Sequence, residues 1–166
     1  EATEEDDVLE ALGEHIHEVF VEDSNRLVIW GSGGTLRTIA EGLGFNPTLL
    51  GIDVTLGSEQ IGTDLNEQNL LKLIKDHDGE CTLLVSPMGG QGFLLGRGNL
   101  QLSPDVLRAV GIDAVLGVVT PAKMLTVTQL RIDTGDVELD LDFQNKKYLK
   151  VLQGYRTTRL LRVASD

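Results

Sequence analysis

The chain is short of cysteine, aromatic residues and lysine, and each shortage removes a class of protein. Cys81 is the single cysteine among 166 residues, so no internal disulfide can form. Placed in the apolar run Cys81-Thr82-Leu83-Leu84-Val85, it reads as a small core residue. Aromatic residues are 4 % of the chain against 41 % hydrophobic, so the core must be packed by Leu, Val and Ile. Six lysines and eight arginines face 26 acidic residues, for a net charge of −12. That charge argues against a non-specific grip on nucleic acid, which needs a positive surface. No apolar run is longer than a few residues, so no membrane span or membrane partner is expected. No signal peptide is visible, although the chain starts at Glu1 rather than Met, and the expected location is the cytoplasm. There is no Ser-His-Asp set, no obvious nucleophile and no metal-spaced Cys/His cluster, so no metal site is expected. His15 and His17 stand two apart and point away from each other on a helix. An Asp-rich, Lys-poor surface suits a protein held in concentrated salt, where self-repulsion is screened. A halophilic source is expected.

What is present is an alternation of apolar runs and capped helices. Residues 3–20 read as an amphipathic helix, with Thr3 and Asp6 forming a capping box and Leu9, Leu12, Ile16, Val19 and Phe20 on one face. Arg26–Trp30 reads as a strand, then Gly31-Ser32-Gly33-Gly34-Thr35, then a helix carrying Leu36, Ile39, Ala40 and Leu43 and closed by Gly44. Thr48–Val54 reads as a second buried strand. Asp64 with Glu67 reads as a capping box opening the next helix, and strand 81–85 follows. Ser103-Pro104-Asp105 opens a helix that Gly111 closes, Ala114–Val119 is a fourth strand, and Thr120-Pro121 starts a short helical turn. In the tail, Val127–Ile132, Val137–Phe143, Tyr148–Leu152 and Arg159–Val163 read as strands, the second with a strict period of two. The expected fold is α/β: a three-layer, mainly parallel sheet with helices on both faces and a short antiparallel β tail. One domain over 1–166 accounts for this, an N-terminal helix (1–22) packing on an α/β core (25–166).

Two glycine-rich turns carry the expected chemistry. Five glycines fall between Gly89 and Asn99, with Arg97 among them. Such a loop between a buried strand and a helix start frees backbone N–H groups for a phosphate or carboxylate. A surface loop whose glycines only relieve strain is the alternative. Gly31–Thr35 lacks the third glycine of a dinucleotide loop, which would fall at Leu36. It still offers free N–H groups and the Ser32 and Thr35 hydroxyls for one phosphate. In an open α/β sheet both turns belong at the carboxyl edge of the strands. The expected ligand-binding residues are Gly31, Ser32, Gly33, Gly34, Thr35, Gly89, Gly90, Gln91, Gly92, Arg97 and Asn99. Asp53, Asp133 and Asp136 are the carboxylates that could act as a base, although Asp133-Thr134-Gly135-Asp136 is equally well a tight turn. Glu138, Asp140 and Asp142 read as a solvated acidic face.

The strings Ile29–Thr35, Leu49–Val54, Gly89–Phe93, Gly96–Asn99 with Ser103-Pro104, and Asp133–Asp136, in this order over about residues 20 to 163, resemble the C-terminal half of the archaeal and bacterial ATP-NAD kinase-like family. That family includes the acetoin-catabolism X protein. The resemblance implies ATP or NAD with Mg²⁺ as ligands, and an N-terminal kinase-type domain carrying a Gly-Gly-Asp-Gly-Thr motif whose aspartate is assigned to catalysis. This chain has Gly33-Gly34-Thr35 without the acid, and Gly31-Ser32-Gly33 where Gly-Pro-Gly is usual. The expected function is therefore a nucleotide- or phosphate-ligand-binding domain, not a complete kinase. A fold-level likeness to the sugar-phosphate isomerase, deaminase and coenzyme A transferase superfamily keeps two alternatives open: a sugar-phosphate or nucleotide sensor, and an isomerase or deaminase of that type. Homo-oligomerisation is left open.

Overall fold

A computed structural model describes residues 3–96 and 100–165. The elements run α1 (Glu4–Ile16), β1 (Leu27–Trp30), α2 (Gly34–Gly42), β2 (Asp53–Leu56), β3 (Glu59–Gly62), α3 (Glu67–Asp76), β4 (Cys81–Val85), β5 (Phe93–Gly96), α4 (Pro104–Val110), β6 (Val115–Val118), α5 (Pro121–Met124), β7 (Gln129–Asp133), α6 (Val137–Lys146), β8 (Tyr148–Gly154) and β9 (Thr157–Val163). The strands form one nine-stranded sheet in the order β3-β2-β1-β4-β6-β8-β9-β7-β5. β1, β4, β6 and β8 are parallel neighbours. β9 runs against β8, and β7 and β5 run parallel to β9. The sheet thus contains two parallel groups of opposite direction joined by one antiparallel hairpin.

Alternation along each strand divides the core in two. Leu27, Ile29, Leu83, Val85, Leu149 and Val151 face a cluster completed by α3, α4, α6, β5 and β7. Val28, Trp30 and Leu84 face the opposite cluster, covered by Leu12 and Ile16 of α1 and Leu36, Ile39 and Ala40 of α2. The buried Trp30 indole donates to Thr55 Oγ1 at 3.0 Å, which accounts for a threonine in that core. Burial pushes the Cys81 thiol up to about 11, so it stays protonated and is no nucleophile.

Four expected elements are corrected. The first helix keeps its Thr3–Asp6 capping box but ends at Ile16, and the chain continues to Val21 as a π-helical turn. The strand expected at Thr48–Val54 begins only at Asp53. It pairs antiparallel with β1 and turns through Gly57, at φ 57°, into β3. Leu49 and Leu50 lie outside it and are exposed. The α3 N-cap is Asn66, whose side chain accepts from Asn69 N at 2.8 Å. Asp64 stands in the left-handed region, at φ 51°. Val137–Phe143 is helix, not strand: Asp136 caps α6, and Leu139 and Phe143, four apart, are its buried residues. Glu138, Asp140 and Asp142 therefore sit on helical turns. The tail contributes one antiparallel pair, β8–β9.

α1 is tied to the β8–β9 turn by side chains. His15 Nδ1 accepts from Arg156 N at 3.0 Å, and Tyr155 Oη donates to Glu18 at 2.8 and 2.9 Å. Partial burial holds the His15 pKa below its ordinary value; Glu18 opposes this and Arg156 reinforces it. The unfolded chain, with His near 6.5, then binds more protons than the folded one. This contribution to stability is complete above about pH 6.5 and is lost as pH falls through the lower folded value. Melting temperature should therefore drop more steeply between about pH 7 and about pH 5 in the native chain than in His15→Gln, and equal slopes would dismiss the contact as a pH-sensitive tie.

Candidate functional site

β1, β4 and β6 are adjacent and parallel, so the segments that follow them emerge on the same side of the sheet. These are Gly31–Thr35 after β1, Ser86–Gly92 after β4, and Thr120 with α5 after β6.

The first turn lies flat against β4. Gly31 N donates to Leu84 O at 2.8 Å, and a Cβ on Gly31 would stand 2.8 Å from that same carbonyl. Only glycine permits the approach. Gly33, at φ 126°, is the N-cap of α2, and no side chain caps the helix. Its Cβ position is 3.6 Å from Ser86 Oγ, which sets the first turn against the start of the second. Around Gly34 nothing would meet an added Cβ within 4 Å. The first N–H groups of α2 are thus left without a side-chain cap.

The second turn mixes packing and open glycines in the same way. Met88 N donates to Phe93 O at 2.8 Å and closes it. Gly92, at φ 78°, is pressed against Gln129 O, while Gly89 and Gly90 face open space. Gly90, Gln91 and Phe93 line a polar cleft together with Thr126, Thr128, Gln129 and Arg131. Lys123 reaches over from α5, its Nζ donating to Gly89 O at 3.0 Å. From Phe93 the loop becomes β5, which pairs with β7, so Gly89–Asn99 is not one continuous loop. Arg97 and Asn99 lie outside the described residues.

Of the three carboxylates, only Asp53 stands beside the first turn. It borders a small cleft with Trp30, Gly31, Gly33, Arg37 and Thr48. At 5 % exposure it accepts from Thr48 N (2.8 Å), Thr48 Oγ1 (3.1 Å) and Asp64 N (2.9 Å). It is thereby committed to pinning both ends of the loop that precedes and follows it. Asp133 ends β7, which runs opposite to β1, β4 and β6, against the end of β5, where a Cβ on Gly96 would run into the Asp133 carbonyl. Asp136 caps α6 through Leu139 N and pairs with Arg108 Nη1 at 2.9 Å. The Arg108 guanidinium and the Leu139 N–H hold its carboxyl below the usual carboxylate range. Asp140 secures the turn by accepting from Thr134 N and Oγ1. The structure does not bring these two acids to the first glycine turn. Among the described residues no group of three His, Cys, Asp or Glu side chains could hold a metal ion.

Ser86, Lys123 and the cleft-lining residues between 126 and 131 were not among the residues singled out from sequence. The Thr120-Pro121 helix start after the fourth strand is the signal that could have pointed to Lys123, since it places the residue at the edge shared with the glycine turns.

Comparison with curated proteins and with solved structures found no match. A family model described as the ATP-NAD kinase C-terminal domain matches residues 23–163, which takes in every described strand and both glycine turns. The chain belongs to the ATP-NAD kinase C-terminal domain family.

Proposed function

We propose that the chain is a nucleotide- or phosphate-ligand-binding domain of an ATP-NAD kinase-like protein, one that works with an N-terminal domain and is not a complete kinase alone. The observation that supports this is that two glycine turns leave the carboxyl ends of the adjacent parallel strands β1 and β4, with Gly33 beside Ser86. One of them opens the N-terminus of α2, which no side chain caps. Phosphate oxygens would accept from the N–H groups of the α2 start and from the Ser32 and Thr35 hydroxyls, with helix dipole and hydrogen bonds acting together. Gly89, Gly90 and Gln91 would bound the remainder of the ligand. Any Mg²⁺ would come with the nucleotide, coordinated chiefly by its phosphates. Phosphoryl transfer also needs a group to orient the acceptor, and Asp53 is already engaged by its own loop.

Gly34→Asp separates this reading from a purely structural turn. The Cβ of the new side chain meets nothing within 4 Å and its carboxylate stands in a first helical turn, where negative charge is favoured, so the melting temperature should hold or rise. Affinity for ATP, NAD or inorganic phosphate, read by calorimetric titration, should fall about tenfold or more, which is 1.4 kcal/mol or more. Equal affinity in the two proteins would rule out the α2 N-terminus as the phosphate site.

A further inference from the structure

We propose that Lys123 is the residue that meets ligand phosphate at the second glycine turn and sets the preference for ligands carrying more than one phosphate. The inference rests on the phosphate-binding reading above. Lys123 has a rigid root: its N–H donates to Thr120 Oγ1 at 3.3 Å, and its carbonyl accepts from Thr126 N and Oγ1 (both 3.1 Å) and from Val127 N (3.0 Å). From there the half-buried side chain spans from the end of β6 to the turn after β4, where Nζ holds Gly89 O. In a chain with 26 acids, no carboxylate among the described residues stands within ion-pair distance of it.

An ammonium has three donors, and the neutral Gly89 carbonyl occupies one of them. A phosphate oxygen is the stronger partner, so the group can brace the turn and hold an anion together. Arg131 lines the neighbouring polar cleft and has partners of its own in the fold. The α2 N-terminus follows β1, whereas the Lys123 ammonium stands on Gly89 in the turn after the neighbouring strand β4, so the two are separate anchoring points. A ligand that engages both needs negative charge spread over several ångströms. A nucleoside triphosphate satisfies this, and a monophosphate engages one point only.

The test is titration of the native chain, Lys123→Gln and Lys123→Met with AMP, ADP and ATP, beside melting curves. The native chain should bind more tightly as phosphates are added. Both variants should lose about ten- to a hundredfold in ATP affinity and much less in AMP affinity, while melting near the native temperature. Lys123→Arg should recover most of the ATP affinity. Equal losses for AMP and ATP, or lowered melting with unchanged affinity, would show Lys123 to be a brace for the turn and overturn the assignment. If Gly34→Asp abolishes binding while the Lys123 variants bind as the native chain does, only the Lys123 assignment fails. If the native chain melts cooperatively but binds none of the three nucleotides, both readings fail.

Discussion

Asp53→Ala should destabilise the domain by about 3–4 kcal/mol, because it leaves buried donors at Thr48 and Asp64 without an acceptor. The native carboxylate is 5 % exposed and accepts from both of those backbone N–H groups and from the Thr48 hydroxyl. Asp53→Asn keeps the shape but turns an amide NH₂ toward donors, so it should cost about half as much. Urea denaturation of the three proteins decides the matter. A free carboxylate poised as a base would give the opposite pattern, near-native stability in both variants with any loss confined to activity. The predicted destabilisation would explain an acid beside the first glycine turn without assigning it chemistry. Should Asp53→Ala stay within about 0.5 kcal/mol of the native chain, Asp53 would return as a catalytic candidate.

Phe143→Ala should cost about 3–5 kcal/mol, the range for emptying a buried aromatic site. Phe143 is fully buried in the larger core cluster, and Leu139, one helical turn earlier, packs with it. Val137 and Leu141, at 74 % and 48 % exposed, should each change stability by no more than about 0.5 kcal/mol when replaced by alanine. The contrast is sharp because a strand would place Val137, Leu139, Leu141 and Phe143 on one face and make all four costly. Denaturation midpoints showing comparable losses at 137, 141 and 143 would reinstate the strand.

That segment shows why part of the fold was legible in the sequence and part was not. β1 and β6 are short apolar runs followed by glycine or threonine and a helix start, so periodicity, capping and turn chemistry agree. Ser103-Pro104 and Gly111 bracket α4 as local rules require. In α6 the rules conflict. Val137, Leu139, Leu141 and Phe143 alternate with acids, yet Leu139 and Phe143 are also four apart, and Asp136 is a good cap. Thr134 on Asp140 adds local support to the helical choice and Arg108 on Asp136 adds tertiary support, and Arg108 lies outside any short window around the helix. At β2 the signal was inverted. The apolar Leu49-Leu50 pair is loop, while the polar Asp53 and Thr55 are buried because they bond to Thr48, Asp64 and Trp30. The glycine turns were readable as candidate sites because glycine density is local. Lys123 stood 34 positions from Gly89, and only the pairing of β4 with β6 makes them neighbours.

The strand order has a consequence for synthesis. β9 is the last described strand along the chain, yet it lies inside the sheet, between β8 and β7. A ribosome delivering the polypeptide from its amino end releases β5 and β7 well before residues 157–163 exist to join them to the other strands. Until then β7 has an unpaired edge and the larger core lacks Leu161 and Val163. Exposed strand edges of this kind invite pairing with other chains. Premature termination before β9 should therefore yield an aggregating fragment, and folding to the compact state is bound to be a late, nearly all-at-once event in translation.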